Sequence, residues 1–168
     1  MNNKCEIRET TKCDFENLIT LWNNGEVMFF VGFPDGLGIT LEEMDEWLTW
    51  AINKPKRCHY SIYAEEIGYC GETFYNVDFE DGTACLDIKL LPAARGKGIA
   101  QTALKFAIDK AFDVGNAKRV YVDPHPNNHK AWALYEKLGF KSKPRPKYLD
   151  ESDTYLEITK EEWAQRTE

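Results

Sequence analysis

The sequence predicts one α/β domain over residues 1–168: a mixed, mostly antiparallel central sheet of about six to seven strands flanked by about four helices. Three features carry that prediction. Two amphipathic helical stretches follow a single opening strand. Three strand-like runs then meander through tight turns. A glycine-rich junction next opens the longest helical stripe, and a strand, a helix and a strand pair complete the chain.

Cys5 to Thr10 alternates loosely and reads as the first strand. Asp14 is placed to cap a helix whose apolar face is Phe15, Leu18, Ile19 and Trp22, and Asn23-Asn24-Gly25 stops it. Val27 to Pro34 is apolar but broken by Gly32, Pro34, Gly36 and Gly38, so a loop is expected there rather than a strand. Thr40 and Glu43 form a capping box for a helix burying Leu41, Met44, Trp47, Leu48 and Ala51, with Pro55 beyond its end. Strands follow at His59 to Ala64, Ile67 to Val77 and Ala84 to Leu91, joined at Glu65-Glu66 and at Glu80-Asp81-Gly82. Ile99, Ala103, Leu104, Ala107, Ile108 and Ala111 mark the buried stripe of the long helix, which Gly115 ends. Val120 to Val122 is a short strand, and Asn127 or Asn128 caps a helix running to Leu138 and closed by Gly139. Phe140 to Lys143 and Thr154 to Thr159 are the last strands.

The formal net charge of −7 argues against non-specific nucleic-acid binding, which requires a basic surface, and is compatible with a cationic substrate. The 5 cysteines are odd in number and contain no Cys-x-x-Cys pair, so a reduced, cytoplasmic protein without structural zinc is expected. Met1 to Lys4 lead into a polar strand without a signal-like apolar stretch. No run approaches the roughly 20 apolar residues of a membrane helix, and no membrane association is expected. His59, His125 and His129 make no convincing metal set, and no metal is expected.

The strongest motif runs from Leu90 to Ala100, a strand entering Arg95-Gly96-Lys97-Gly98 and then a helix. Backbone N–H groups at such a junction point outward and, with the helix dipole, form an anion site suited to a pyrophosphate. The spacing of a Walker-type phosphate loop is absent. A dinucleotide fingerprint would need glycine at position 101, which is Gln101, although Asp123 could imitate the ribose-binding acid. A glycine turn serving close packing alone reads the same way.

Arg95-x-x-Gly98-x-Ala100 resembles the acetyl-CoA signature of the GNAT superfamily of N-acetyltransferases. Asn128-x-x-Ala131-x-x-Leu134-Tyr135-Glu136-Lys137-Leu138-Gly139-Phe140 resembles that family's second motif, in the same order and separation. The resemblance covers nearly the whole chain. It points to the branch containing ribosomal-protein N-terminal, polyamine and aminoglycoside acetyltransferases.

The resemblance implies a GNAT-like fold and acetyl transfer from acetyl-CoA to a primary amine of a small molecule or peptide, by direct attack. The cofactor would be held by Leu90, Leu91, Arg95, Gly96, Lys97, Gly98, Ile99, Ala100 and Asn128. Its pantetheine arm would lie between splayed fourth and fifth strands, and Lys130 would approach the adenosine phosphate. Tyr135 stands where the family carries the acid that protonates the CoA thiolate, although it also fits an apolar helix face with Ala131, Leu134 and Leu138. Asp87 and Glu72 are the candidate carboxylate bases, and Asp87 could instead pair with Lys89 along its strand. Met28 to Gly38 would line the acceptor cleft or act as a hydrophobic flap. A second copy of the chain, as a homodimer, is the protein partner considered. A CoA-binding sensor or interaction module and a dinucleotide-binding protein are the alternatives.

Overall fold

The computed structural model describes residues 5–52, 56–77, 80–149 and 154–166. One sheet holds β1 (Cys5–Glu9), β2 (Arg57–Ala64), β3 (Gly68–Asn76), β4 (Thr83–Leu90), β5 (Arg119–Val122), β6 (Lys141–Ser142) and β7 (Leu156–Thr159), in the order β1-β2-β3-β4-β5-β7-β6. Every neighbouring pair is antiparallel except β4 and β5, which are parallel. A largely antiparallel sheet is not the parallel sheet of a dinucleotide fold.

The helices are α1 (Phe15–Trp22), α2 (Gly25–Met28), α3 (Leu41–Ile52), α4 (Ile99–Asp113), α5 (His129–Lys137) and α6 (Lys160–Ala164). The α4 stripe is fully buried, with Ala103, Leu104, Ala107, Ile108 and Ala111 inaccessible to solvent. It packs with Tyr75, Leu86 and Val120 of the sheet, and Tyr135 and Leu138 of α5 join the same cluster. Leu18 and Trp22 of α1 and Met44 and Leu48 of α3 form a second cluster. It lies over the sheet face that carries His59 and Glu72, since both rings Trp22 and Trp47 touch His59.

Four sequence expectations change. Val27 to Val31 is helical rather than loop, because Asn24 accepts from the Glu26 and Val27 amides and starts α2, and a 3-10 turn over Phe29–Val31 follows; Gly32 to Pro34 is irregular, as expected. Asp14 does not cap α1 with its side chain. Its carboxylate turns back to the Arg8 guanidinium (2.7 and 3.0 Å) and the Thr11 amide (2.8 Å). Leu41 is 60% exposed instead of buried, while the Thr40–Glu43 capping box ahead of it is formed. The short α6 was not anticipated; Thr159 and Glu162 cap it reciprocally, and Trp163 anchors it by donating to Asp109 (2.7 Å). Pro55 lies outside the described residues.

Candidate active site

The parallel pairing of β4 with β5 stops early. Thr83, Ala84 and Cys85 pair with Arg119, Val120 and Tyr121, after which β4 continues to Leu90 with β3 on one side and no strand on the β5 side. A cavity of about 810 Å³ opens along this stretch, walled by β4, the end of β5, α2 and α5. The Leu91 amide donates to Cys70 O (2.8 Å), so alternation turns the N–H and C=O groups of Ile88 and Leu90, past the end of the β5 pairing, toward the cavity. Two of these groups are met by nearby side chains. The Ile88 amide donates to the Asp87 carboxylate (2.8 Å), and Arg95 Nε donates to Leu90 O (3.2 Å).

Beyond Leu90 the chain makes a 3-10 turn over Pro92–Ala94 and enters the glycine loop. Gly96 and Gly98 have φ of +73° and +79°, and no atom lies within 4 Å of where a side chain would stand on either. Gly98 occupies the N-cap position of α4 and has no side chain to cap it. The N–H groups from Gly96 through Gln101 therefore find no acceptor among the described residues. A row of free donors at the positive end of a 15-residue helix fits a pyrophosphate, and so fits CoA.

Tyr135 is buried on the α5 wall of the cavity, and its hydroxyl makes no hydrogen bond among the described residues. Burial, reinforced by the charges of Asp87 and Asp123, pushes its phenol up, which keeps it protonated at neutral pH. Asn128 accepts from the Ala131 amide (3.2 Å) and caps α5, leaving its side-chain NH₂ available at the cavity wall.

The two candidate carboxylates sit differently. Asp87 lines the cavity, paired to Lys89. Glu72 is 2% exposed and stands behind Lys89, away from the cavity wall. Trp22 Nε1 donates to Glu72 Oε1 (2.8 Å), Lys89 Nζ lies 3.4 Å from the same oxygen, and His59 Nε2 lies 2.7 Å from Oε2 in an ion-pair contact off the hydrogen-bond axis. Burial would raise the Glu72 carboxyl, but His59 and Lys89 outweigh it and hold the group at about 2. Burial likewise opposes the Lys89 ammonium, and the charges of Asp87 and Glu72 push its titration above the ordinary range. Gly71 makes the close approach of strands possible here: a Cβ on it would stand 2.0 Å from Lys89 O.

Of the residues expected from sequence, Asp87, Tyr135, Leu90, Arg95 and Asn128 meet on one cavity. Gly96, Lys97, Gly98, Ile99 and Ala100 form the adjoining loop, and Leu91 is tied to β3. Sequence reasoning missed the Lys89–Glu72–His59–Trp22 cluster, in which strand register joins Lys89, Glu72 and His59 and the packing of α1 adds Trp22. It also gave no role to Phe74 and weighed Asp123 only as a ribose-binding acid, whereas both line the wall together with Phe30 of the Met28 to Gly38 segment expected there. A carboxylate directly after the short strand Val120 to Val122 was the available signal for Asp123. Among the described residues no helix is long and apolar enough to cross a membrane, and no group of three metal-ligating side chains forms.

A strand with one open edge, running through an uncapped loop into a long helix, defines the class: this is the acyl-CoA N-acyltransferase fold. The family model described as an acetyltransferase (GNAT) domain matches residues 4–141, and the chain belongs to that family. An N-alpha-acetyltransferase of Saccharolobus solfataricus is 38% identical over 73 residues, which are 42% of this chain and 44% of that protein. The match therefore spans less than half of that relative. A spermidine N(1)-acetyltransferase of Vibrio cholerae is 24% identical over 141 residues, covering 83% of this chain and 80% of that protein. The crystal structure of a V. cholerae spermidine N-acetyltransferase with CoA and spermine has the same fold, with a TM-score of 0.82 at 20% identity over 97% of this chain and 99% of that one.

Proposed function

We propose that this chain, acting as one domain over residues 1–168 in the cytoplasm, transfers the acetyl group of acetyl-CoA to a primary amine by direct attack. The observation that carries this reading is the open β4 edge ending in the free amides of residues 96–101, beside the unpartnered Tyr135 hydroxyl. In this reading the amides from Gly96 to Ala100, with Arg95 and Lys97 beside them, hold the pyrophosphate. The open β4 edge up to Leu90 pairs with the pantetheine arm, Leu91 being turned to β3, and the Asn128 NH₂ contacts it.

An amine with a pKa near 10 must lose a proton before it attacks the thioester carbonyl. Asp87 orients the amine or relays that proton through water. The Leu90 amide, turned into the cavity, donates to the developing oxyanion. Tyr135 then protonates the departing thiolate. Glu72 acts through Lys89, as a positioning residue. An amine acceptor is in keeping with relatives named for N-alpha amines and for spermidine. The test is release of free CoA from acetyl-CoA in the presence of a panel of amines, with calorimetry of acetyl-CoA binding. Binding without turnover of any amine would replace this reading with that of a sensor.

A further inference from the structure

The walls of the cleft narrow the acceptor, on the acetyl-transfer reading above. Glu26, Asp87 and Asp123 bring carboxylates to the cavity, and Lys89, Arg95 and Lys130 bring as many cations. Glu26 is engaged by Arg95 (2.7 Å), and Asp87 by Lys89 and the Ile88 amide. The surrounding walls and the charge of Asp87 push the Asp123 carboxyl up, against the pull of Arg145. A polycationic acceptor needs several uncompensated carboxylates to replace its lost hydration. These walls do not offer them.

What they offer instead is apolar. Val27, Phe30 and Val31, at α2 and the turn after it, face Phe74 of β3 around the same cavity. Phe30 also lies against the His125 ring, 5.4 Å between centroids, so two separate elements meet at this aromatic wall. Phe29 and Phe33, 57% and 44% exposed, continue the apolar surface outward. Exposed apolar side chains gathered at a concave site with a few polar groups at its end mark a ligand-binding wall.

We infer that the acceptor is a primary monoamine whose amino group is carried on an apolar body of aromatic-ring size, seated against Phe30 and Phe74. That chemistry belongs both to a free arylalkylamine and to the N-terminus of a peptide beginning with an apolar residue.

The experiment measures kcat/KM with acetyl-CoA for 2-phenylethylamine, propylamine, a Phe-Ala-Ala peptide and spermidine. One or both ring-bearing acceptors should exceed propylamine and spermidine by at least about tenfold, the discrimination available to an apolar pocket. Whichever of the two is the better substrate identifies the source. Phe30→Ala removes a half-exposed side chain and should lower the phenylethylamine-to-propylamine ratio about tenfold. Preference for spermidine, or an unchanged ratio in Phe30→Ala, would overturn the inference and leave acetyl transfer standing. Failure to acetylate any amine would overturn both.

Discussion

Glu72→Gln tests whether the buried charge cluster behind the cleft is a structural anchor. Glutamine keeps the size of the side chain and an oxygen for Trp22 Nε1, but removes the charge that faces His59 and Lys89. The Glu72 carboxyl sits at about 2 in the folded protein against an ordinary value of 4.5. At about 1.4 kcal/mol per pKa unit, that difference corresponds to roughly 3 kcal/mol of stability. Breaking a buried ion pair typically costs 3–5 kcal/mol, roughly the same. A depressed folded pKa stabilises fully above the unfolded value, and the contribution is lost as pH falls. The gap between wild type and variant should therefore be about 3 kcal/mol from pH 7 down to about 4.5, and shrink as pH drops toward about 2. Urea titrations of both proteins across this range, at matched ionic strength, measure it directly. A gap under about 1 kcal/mol at neutral pH, or one that does not change with pH, would refute the reasoning.

Gly98→Val should abolish CoA binding in calorimetry. The added side chain meets no protein atom, so the fold should survive a strain of about 1–2 kcal/mol at φ +79°, while the branched group screens the free amides. Tyr135→Phe should lower kcat by about 100-fold with little change in acetyl-CoA affinity, as removal of a general acid does; equal kcat at saturating substrates would return Tyr135 to a packing role. Asp87→Asn should depress activity at neutral pH, and raising the pH should recover part of the rate as free amine becomes available; a rate deficit that does not change with pH would point to lost positioning of Lys89 instead.

The sequence made the local structure readable wherever one element carries its own signal. The α4 stripe, the Thr40–Glu43 box and the Asn128 cap all appear in the structure as periodicity and capping chemistry require. The same Thr-x-x-Glu pattern at Thr159 and Glu162 caps α6, a five-residue helix too short to show a periodicity of its own beyond the strand that ends at Thr159. The loop motif between Arg95 and Ala100 was legible because it is contiguous. His59, Glu72 and Lys89 stand on three different strands, and only the register of β2, β3 and β4 brings them together, with Trp22 added by the packing of α1. Asp14 shows the same limit: a residue type suited to an N-cap is claimed by Arg8 and Tyr63, one from the preceding strand and one from β2.

Net charge is where a whole-chain property and the site part company. A total of −7 suggests an acidic cleft that concentrates cations. In the structure the cleft is the place where charge cancels: Arg95 engages Glu26, and Lys89 engages both Asp87 and Glu72. Excess carboxylates such as Glu42, Glu46, Glu65, Glu66 and Glu80 are on exposed surface, where solvent screens them and they add little to binding inside the cleft. Lys89 is the residue that makes the difference. Its ammonium is held between two carboxylates, so it removes from the acceptor wall the negative charge that strand β4 would otherwise present. A Lys89→Met variant would free Asp87 toward the cavity and should raise kcat/KM for spermidine relative to 2-phenylethylamine by about tenfold, the worth of one charge contact of roughly 1.4 kcal/mol. An unchanged ratio would mean that charge on this wall does not select the acceptor.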